Sequence, residues 1–139
     1  MIFTVTIKLV HGIYASDGWK RNIEIPSDFK LEDFHLVIQD LLAFDDDHMY
    51  KFYIANTERG QEIARFECDD ELIEKTSISE FLLKSEGKKA FYLFDYGDSW
   101  LFQISNSRKK PFQPVADVEY PRVISEVGVN PEQYPDWED

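Results

Sequence analysis

"WKRNIEIPSDFKLEDFHLVIQDLLA", residues 19–43, changes period part-way along. Up to Pro26 the pattern alternates, with Trp19, Arg21, Ile23 and Ile25 on one side, as in a half-buried strand. Proline ends the run, because it lacks the N–H a ladder needs. Ser27 and Asp28 are helix-start residue types, and Leu31, Phe34, Ile38 and Leu41 then recur at helical spacing. Glu32 and Asp33 fall near the positive end of the helix dipole. The spacing predicts a strand followed by a helix over 31–43, which sets the fold class as α+β. Each large apolar side chain of that helix contributes about 1.5–3 kcal/mol on full burial, so its docking is a main determinant of the fold.

Upstream, residues 2–10 alternate: Phe3, Val5, Ile7 and Leu9 oppose Thr4, Thr6 and Lys8. This strand is expected to pair with 19–26 as an antiparallel hairpin across "HGIYASDG". Downstream, Met49 to Ala55 returns to period two. Residues 56–77 are polar and weakly periodic, with one short strand expected around Ile63 to Phe66. Ile78, Phe81 and Leu82 suggest a short helix ending near Gly87. Ala90–Phe94 and Ser99–Ile104 form a second hairpin about Asp95-Tyr96-Gly97-Asp98. Here Asp95 is expected to hydrogen-bond the turn amides and Gly97 to take positive φ. The expected architecture is one small domain with a mainly antiparallel sheet, an N-terminal hairpin, one main helix and a later hairpin, a β-grasp-like order.

A boundary is expected at residue 110. Five of the six prolines and seven acids follow it, with Arg122 as the only base, so 111–139 is read as an acidic, Pro-rich segment. It either wraps the 1–110 core in extended form or stays partly mobile, with Trp137 as an anchor.

The chain has 139 residues, 43% of them hydrophobic and 15% aromatic, enough to bury a core without a disulfide or metal. A formal charge of −12 repels nucleic acid and anionic membranes. Direct nucleic-acid binding is therefore disfavoured; the short basic run Arg108, Lys109 and Lys110 reads as a solvated loop or a small phosphate-binding patch. The single cysteine, Cys68, fits a reducing compartment, and the start lacks a signal-peptide pattern, so a cytoplasmic location is expected. No apolar run is long enough to span a membrane.

Phosphate loops, paired-cysteine zinc signatures, histidine pairs at ligand spacing and nucleophile elbows are absent, which lowers the case for an enzyme and predicts no cofactor. His35 falls on the border of the helix's apolar face, as a hydrogen-bonded core-edge residue or as a ligand or general base. His48 follows Asp45, Asp46 and Asp47, as part of a solvated loop or beside cation-binding carboxylates. At long range, Asp95, Asp98, His48, Arg21 and Trp19 can meet at one end of the sheet. Together they would form either an acid/base or cation-binding site, or an ion pair and aromatic cap closing the hairpin. The turn accounts for Asp95 and Gly97 but not for Asp98 followed by Trp100.

"GWKRNIEIP", "LEDFHLVIQ", "HMYKF", "FYLFDYGDSW" and "YPR" occur in order and approximate spacing. Together they resemble the plasmid pRiA-type ORF-3-like family, which includes passenger proteins of insertion elements. The resemblance covers about residues 2–134. Its first block falls on Trp19, Arg21, Ile23 and Pro26, and its helix block on Leu31, Asp33, His35, Ile38 and Gln39. Its hairpin block falls on Asp95, Gly97, Asp98 and Trp100, with Tyr96 in place of Phe. Where many relatives look like Cys-Pro-Pro-Glu-Asp-Cys, this chain has Val129-Asn130-Pro131-Glu132-Gln133-Tyr134, so a thiol-dependent metal or redox role is not expected. The resemblance implies a small α+β domain and an accessory role in DNA transactions, while the acidic charge implies that such a role runs through another protein.

Two main functional expectations follow, beside a third, a DNA-associated accessory protein acting through Arg108, Lys109 and Lys110. One is a non-enzymatic interaction module using the Trp19, Arg21, His35, His48, Asp95, Asp98 and Trp100 region. The alternative is a metal-assisted hydrolase or nuclease-like site built from Asp95, Asp98 and His48.

Overall fold

Strand β1 (Ile2–His11) pairs antiparallel with β2 (Lys20–Pro26), Val5 opposite Ile23 and Ile7 opposite Arg21. The structure is a computed structural model that describes residues 1–12 and 18–134; the tip of this first connection and Trp137 lie outside the described residues. Helix α1 (Leu31–Leu42) follows, then β3 (Tyr50–Ala55), β4 (Ala64–Glu67), α2 (Leu72–Lys75), α3 (Ile78–Lys84), β5 (Lys89–Phe94), β6 (Trp100–Asn106) and β7 (Arg122–Val127). The strands make one sheet in the order β4-β3-β5-β6-β1-β2-β7. Every pairing is antiparallel, and the β1–β6 pairing joins the two hairpins side by side. The domain is thus a small, antiparallel seven-stranded sheet with three short helices; a β-grasp order is not confirmed.

The helix begins at Leu31, as the spacing predicts, but Lys30 rather than Ser27 or Asp28 is the residue before it. Ser27 donates its N–H to Met1 O and accepts from Ser79 N–H, so it serves a turn. Lys30 is the extended residue before α1, and the Asp33 carboxylate accepts the Lys30 N–H at 3.1 Å, satisfying an otherwise free donor. At the other end Ala43 takes a left-handed φ of 56°, which turns the chain toward β3.

Leu31, Phe34, Ile38 and Leu42 of α1 bury against the sheet, with Phe34 stacked on Phe52 at 5.5 Å. Phe81 of α3 meets the same Phe52 edge-on, and Phe66 of β4 meets Phe81. The opposite sheet face carries a smaller cluster of Tyr53, Ala55, Phe91 and Leu101.

The segment after Pro111 contributes β7 as an edge strand beside β2, with its register shifted between Asn22 and Ile23 by one extra residue. Its side chains are exposed, which leaves no alternation for sequence reading to find. Residues 128–134 then cross one end of the sheet from the β2–β7 edge toward β3 as a strap.

Candidate functional site

The β5–β6 turn is built on Asp95. Its Oδ1 accepts the N–H groups of Gly97 at 3.1 Å and Asp98 at 3.3 Å, the hydrogen-bonded turn expected from aspartate at this position. The positive φ values, however, belong to Asp95 at 61° and Ser99 at 55°, not to Gly97. Aspartate tolerates that region because its short carboxylate bonds locally. The same buried side chain turns its Oδ2 toward His48 Nε2 at 3.3 Å. His48 Nε2 also lies 2.7 Å from the Tyr134 hydroxyl, which donates to Asp47 Oδ2 at 2.8 Å. Asp98 is held above the usual carboxylate range, first by burial and then by the charge of Asp95, with His48 pulling the other way.

Behind this group lies a buried polar chain. His35 Nδ1 is 2.6 Å from the hydroxyl of Tyr92, and its Nε2 is 2.9 Å from Asp46 Oδ1. Gln39 Nε2 donates to the same hydroxyl at 3.0 Å. Burial drives the Tyr92 pKa far up, so the phenol keeps its proton and donates it to the imidazole. Burial also lowers the His35 pKa, against the Asp46 carboxylate, which favours a neutral ring with its proton on Nε2. His35 is therefore a satisfied buried residue, with no ring nitrogen left to act as a base.

Arg21 and Trp19 form a separate group. Buried Arg21 donates to Val127 O at 2.8 Å, Gly128 O at 3.0 Å and Asn130 Oδ1 at 3.1 Å, with its guanidinium 4.6 Å from the Trp19 ring. Trp19 Nε1 donates to the same Asn130 oxygen at 2.8 Å, and Asn130 Nδ2 donates to Leu41 O at the end of α1. Gly128, at φ 80°, passes so close to Gly18 that a Cβ would stand 2.9 Å from its carbonyl oxygen. Farther along the strap, Gln133 accepts from Asp45 N–H at 2.6 Å and donates to Asp45 O at 2.9 Å.

Residues 2–133 match the sequence profile described as plasmid pRiA4b ORF-3-like protein. The chain belongs to that family.

A solved structure of similar fold is the crystal structure of the protein of unknown function MM3350 from Methanosarcina mazei Go1. It has a TM-score of 0.71 and 21% identity, over 90% of this chain and 68% of that one. No curated protein matches the chain.

The ORF-3-like motif residues resolve into these networks. His48 and Asp95 meet, and Asp98 sits close enough to feel both. Arg21 and Trp19 do not join them in any hydrogen bond; they hold the strap instead. Trp100 is fully buried, edge-on to Phe44 at 5.0 Å, and its indole N–H has no partner among the described residues. Of the basic run, Lys109 bonds buried Glu24 at 3.2 Å and lies over the Phe112 ring. Among the described residues no three His, Cys, Asp or Glu side chains group so as to hold a metal ion, and no helix is long and apolar enough to cross a membrane.

Sequence reasoning missed the partners: Tyr92, Gln39, Asn130, Gln133 and Tyr134. One signal was present, since His35 and Gln39 put two polar groups a single turn apart on an otherwise apolar helix face.

The part of this end left open is an acidic recess of about 610 Å³ between the β5–β6 turn and the Asp45–Asp47 loop. Asp46, Asp47, His48 and Asp95 line it, with Cys68 at one side. At its mouth Met49 is 58% and Tyr96 39% exposed.

Proposed function

We propose that this ORF-3-like protein is a non-enzymatic cytoplasmic interaction module, whose acidic recess receives a basic, partly apolar segment of another protein. The observation that carries the reading is the exposure of Met49 and Tyr96 beside the carboxylates of Asp46 and Asp47. An apolar thioether and a phenol ring flanking acids offer area and charge to one ligand, the combination that anchors a protein segment. The family resemblance extends the proposal to an accessory role in mobile-DNA transactions, reached through that partner because the chain's own charge of −12 opposes DNA. The hydrolase reading has less to support it: His48 Nε2 already faces Asp47, Asp95 and the Tyr134 hydroxyl, which itself donates to Asp47.

The test is affinity capture from a cell extract with wild type and Met49→Lys. The expected outcome is a partner that elutes with rising salt and is lost by Met49→Lys, while both proteins melt alike. Identical retention by the two, or a turnover that requires a divalent metal, would overturn it.

A further inference from the structure

The two edges of the sheet differ. Strand β4 has four residues and carries Arg65 and Glu67, a short charged edge of the kind that resists further pairing. Strand β7 has six residues, and Val123, Ile124 and Val127 on it are 37%, 43% and 50% exposed. Among the described residues only β2 pairs with it, so alternate N–H and C=O groups face outward. Beside this edge runs a groove of about 190 Å³ between β7 and α1. Ile23 lies at its base, Val37, Leu41 and Val123 form its walls, and exposed Asp40 sits at its rim. An unpaired strand next to an apolar groove offers two kinds of recognition at once: main-chain hydrogen bonds along the edge and pockets for every second side chain.

We infer that β7 and the β7–α1 groove are a docking site for an extended segment of another protein, which adds as an eighth strand with aliphatic residues in the groove and a Lys or Arg toward Asp40. Charge selects this occupant. Arg122 is committed to Glu24 at 2.6 Å and Glu126 lies 3.7 Å from Arg21, which leaves exposed Asp40 to set the sign at the groove's rim. A second copy would bring the same Asp40 and another −12 to the contact. This surface is separate from the acidic recess and stands without it.

The experiment selects a phage-displayed random peptide library against the full chain, then titrates a synthetic selected peptide while following backbone amide NMR signals. Converging sequences with aliphatics at every second position and a Lys or Arg are expected, with shifts confined to β7 and the end of α1. Val123→Asp should weaken binding by at least about tenfold, as loss of a central anchor does. Asp40→Lys should turn the selection toward Asp or Glu, and Met49→Lys, at the recess, should leave the affinity unchanged. If Val123→Asp melts early, Ile124→Lys on the exposed edge decides instead. Non-converging sequences, shifts elsewhere, or unchanged affinity in the edge variants would overturn the inference. So would a dimer in sedimentation that Ile124→Lys abolishes, since the edge would then belong to a second copy.

Discussion

The imidazole of His35 lies flat on the ring of Tyr50, centroids 3.5 Å and planes 4° apart. With Tyr92 and Asp46 on its two nitrogens, the ring is buried and held neutral. Its folded pKa lies below the ordinary 6.5, so the unfolded chain takes up a proton first as pH falls. The stability this residue contributes is present above about pH 6.5 and is lost as pH drops below it toward the folded value. Thermal melts between about pH 7.5 and about pH 5 should show that loss, and His35→Gln should flatten it. Asp46→Asn, which removes the opposing charge, should extend the fall to lower pH.

Asp98→Asn should melt above wild type at neutral pH. The native state raises the Asp98 pKa, by burial and by Asp95, so ionising it opposes folding at any pH above that raised value. The amide removes the charge, and the advantage should vanish as pH falls toward the usual 3.8, where wild type is also protonated. A mutant less stable than wild type at neutral pH would show instead that His48 makes the Asp98 charge favourable.

What the sequence disclosed was what periodicity encodes. Ile2 to Val10 alternates because one side of β1 is core, and Phe34 and Ile38 repeat because α1 is docked by one face. Asp95 was legible because an aspartate turn closes within four residues. For the acidic site, the sequence left open whether His48 and Asp95 meet, and it held no sign that Arg21 bonds Asn130, 109 positions away. Nothing local distinguishes a strap asparagine from a solvated one. Nor does anything local mark β7, where an edge position removes the alternation of burial.

Glu24 is buried on β2 and is met by Arg122 at 2.6 Å and Lys109 at 3.2 Å. Burial alone would raise its pKa, but the two hydrogen-bonded cations prevail and lower it below 4.5. Its contribution is thus present above the unfolded value and lost as pH falls through the folded one. Glu24→Gln should cost on the order of 1–3 kcal/mol near neutral pH, the scale of a charge-assisted hydrogen bond. Urea unfolding of the two proteins should converge in acid; a constant gap across pH would mean that packing, not charge, explains the loss.

Arg21 ties three layers of the fold together: its own strand, the β7 end through Val127 and Gly128, and the strap through Asn130. A lysine keeps the charge but cannot present a planar fork to two carbonyls and a side-chain oxygen at once. Arg21→Lys should therefore cost about 2–4 kcal/mol, from hydrogen bonds to a buried charge and the carbonyls left unpaired. Asn130→Ala removes one acceptor of the guanidinium and the partner of Trp19, so the double variant should lose less than the two singles added. Urea melts of the four proteins measure that coupling. Limited proteolysis supplies the second readout, because freeing the strap should expose cleavage after Val127 in both single variants while β1 to β6 stay intact. Full additivity with unchanged cleavage would mean that Arg21 stabilises β2 alone and that the strap is held by Gln133 at its other end.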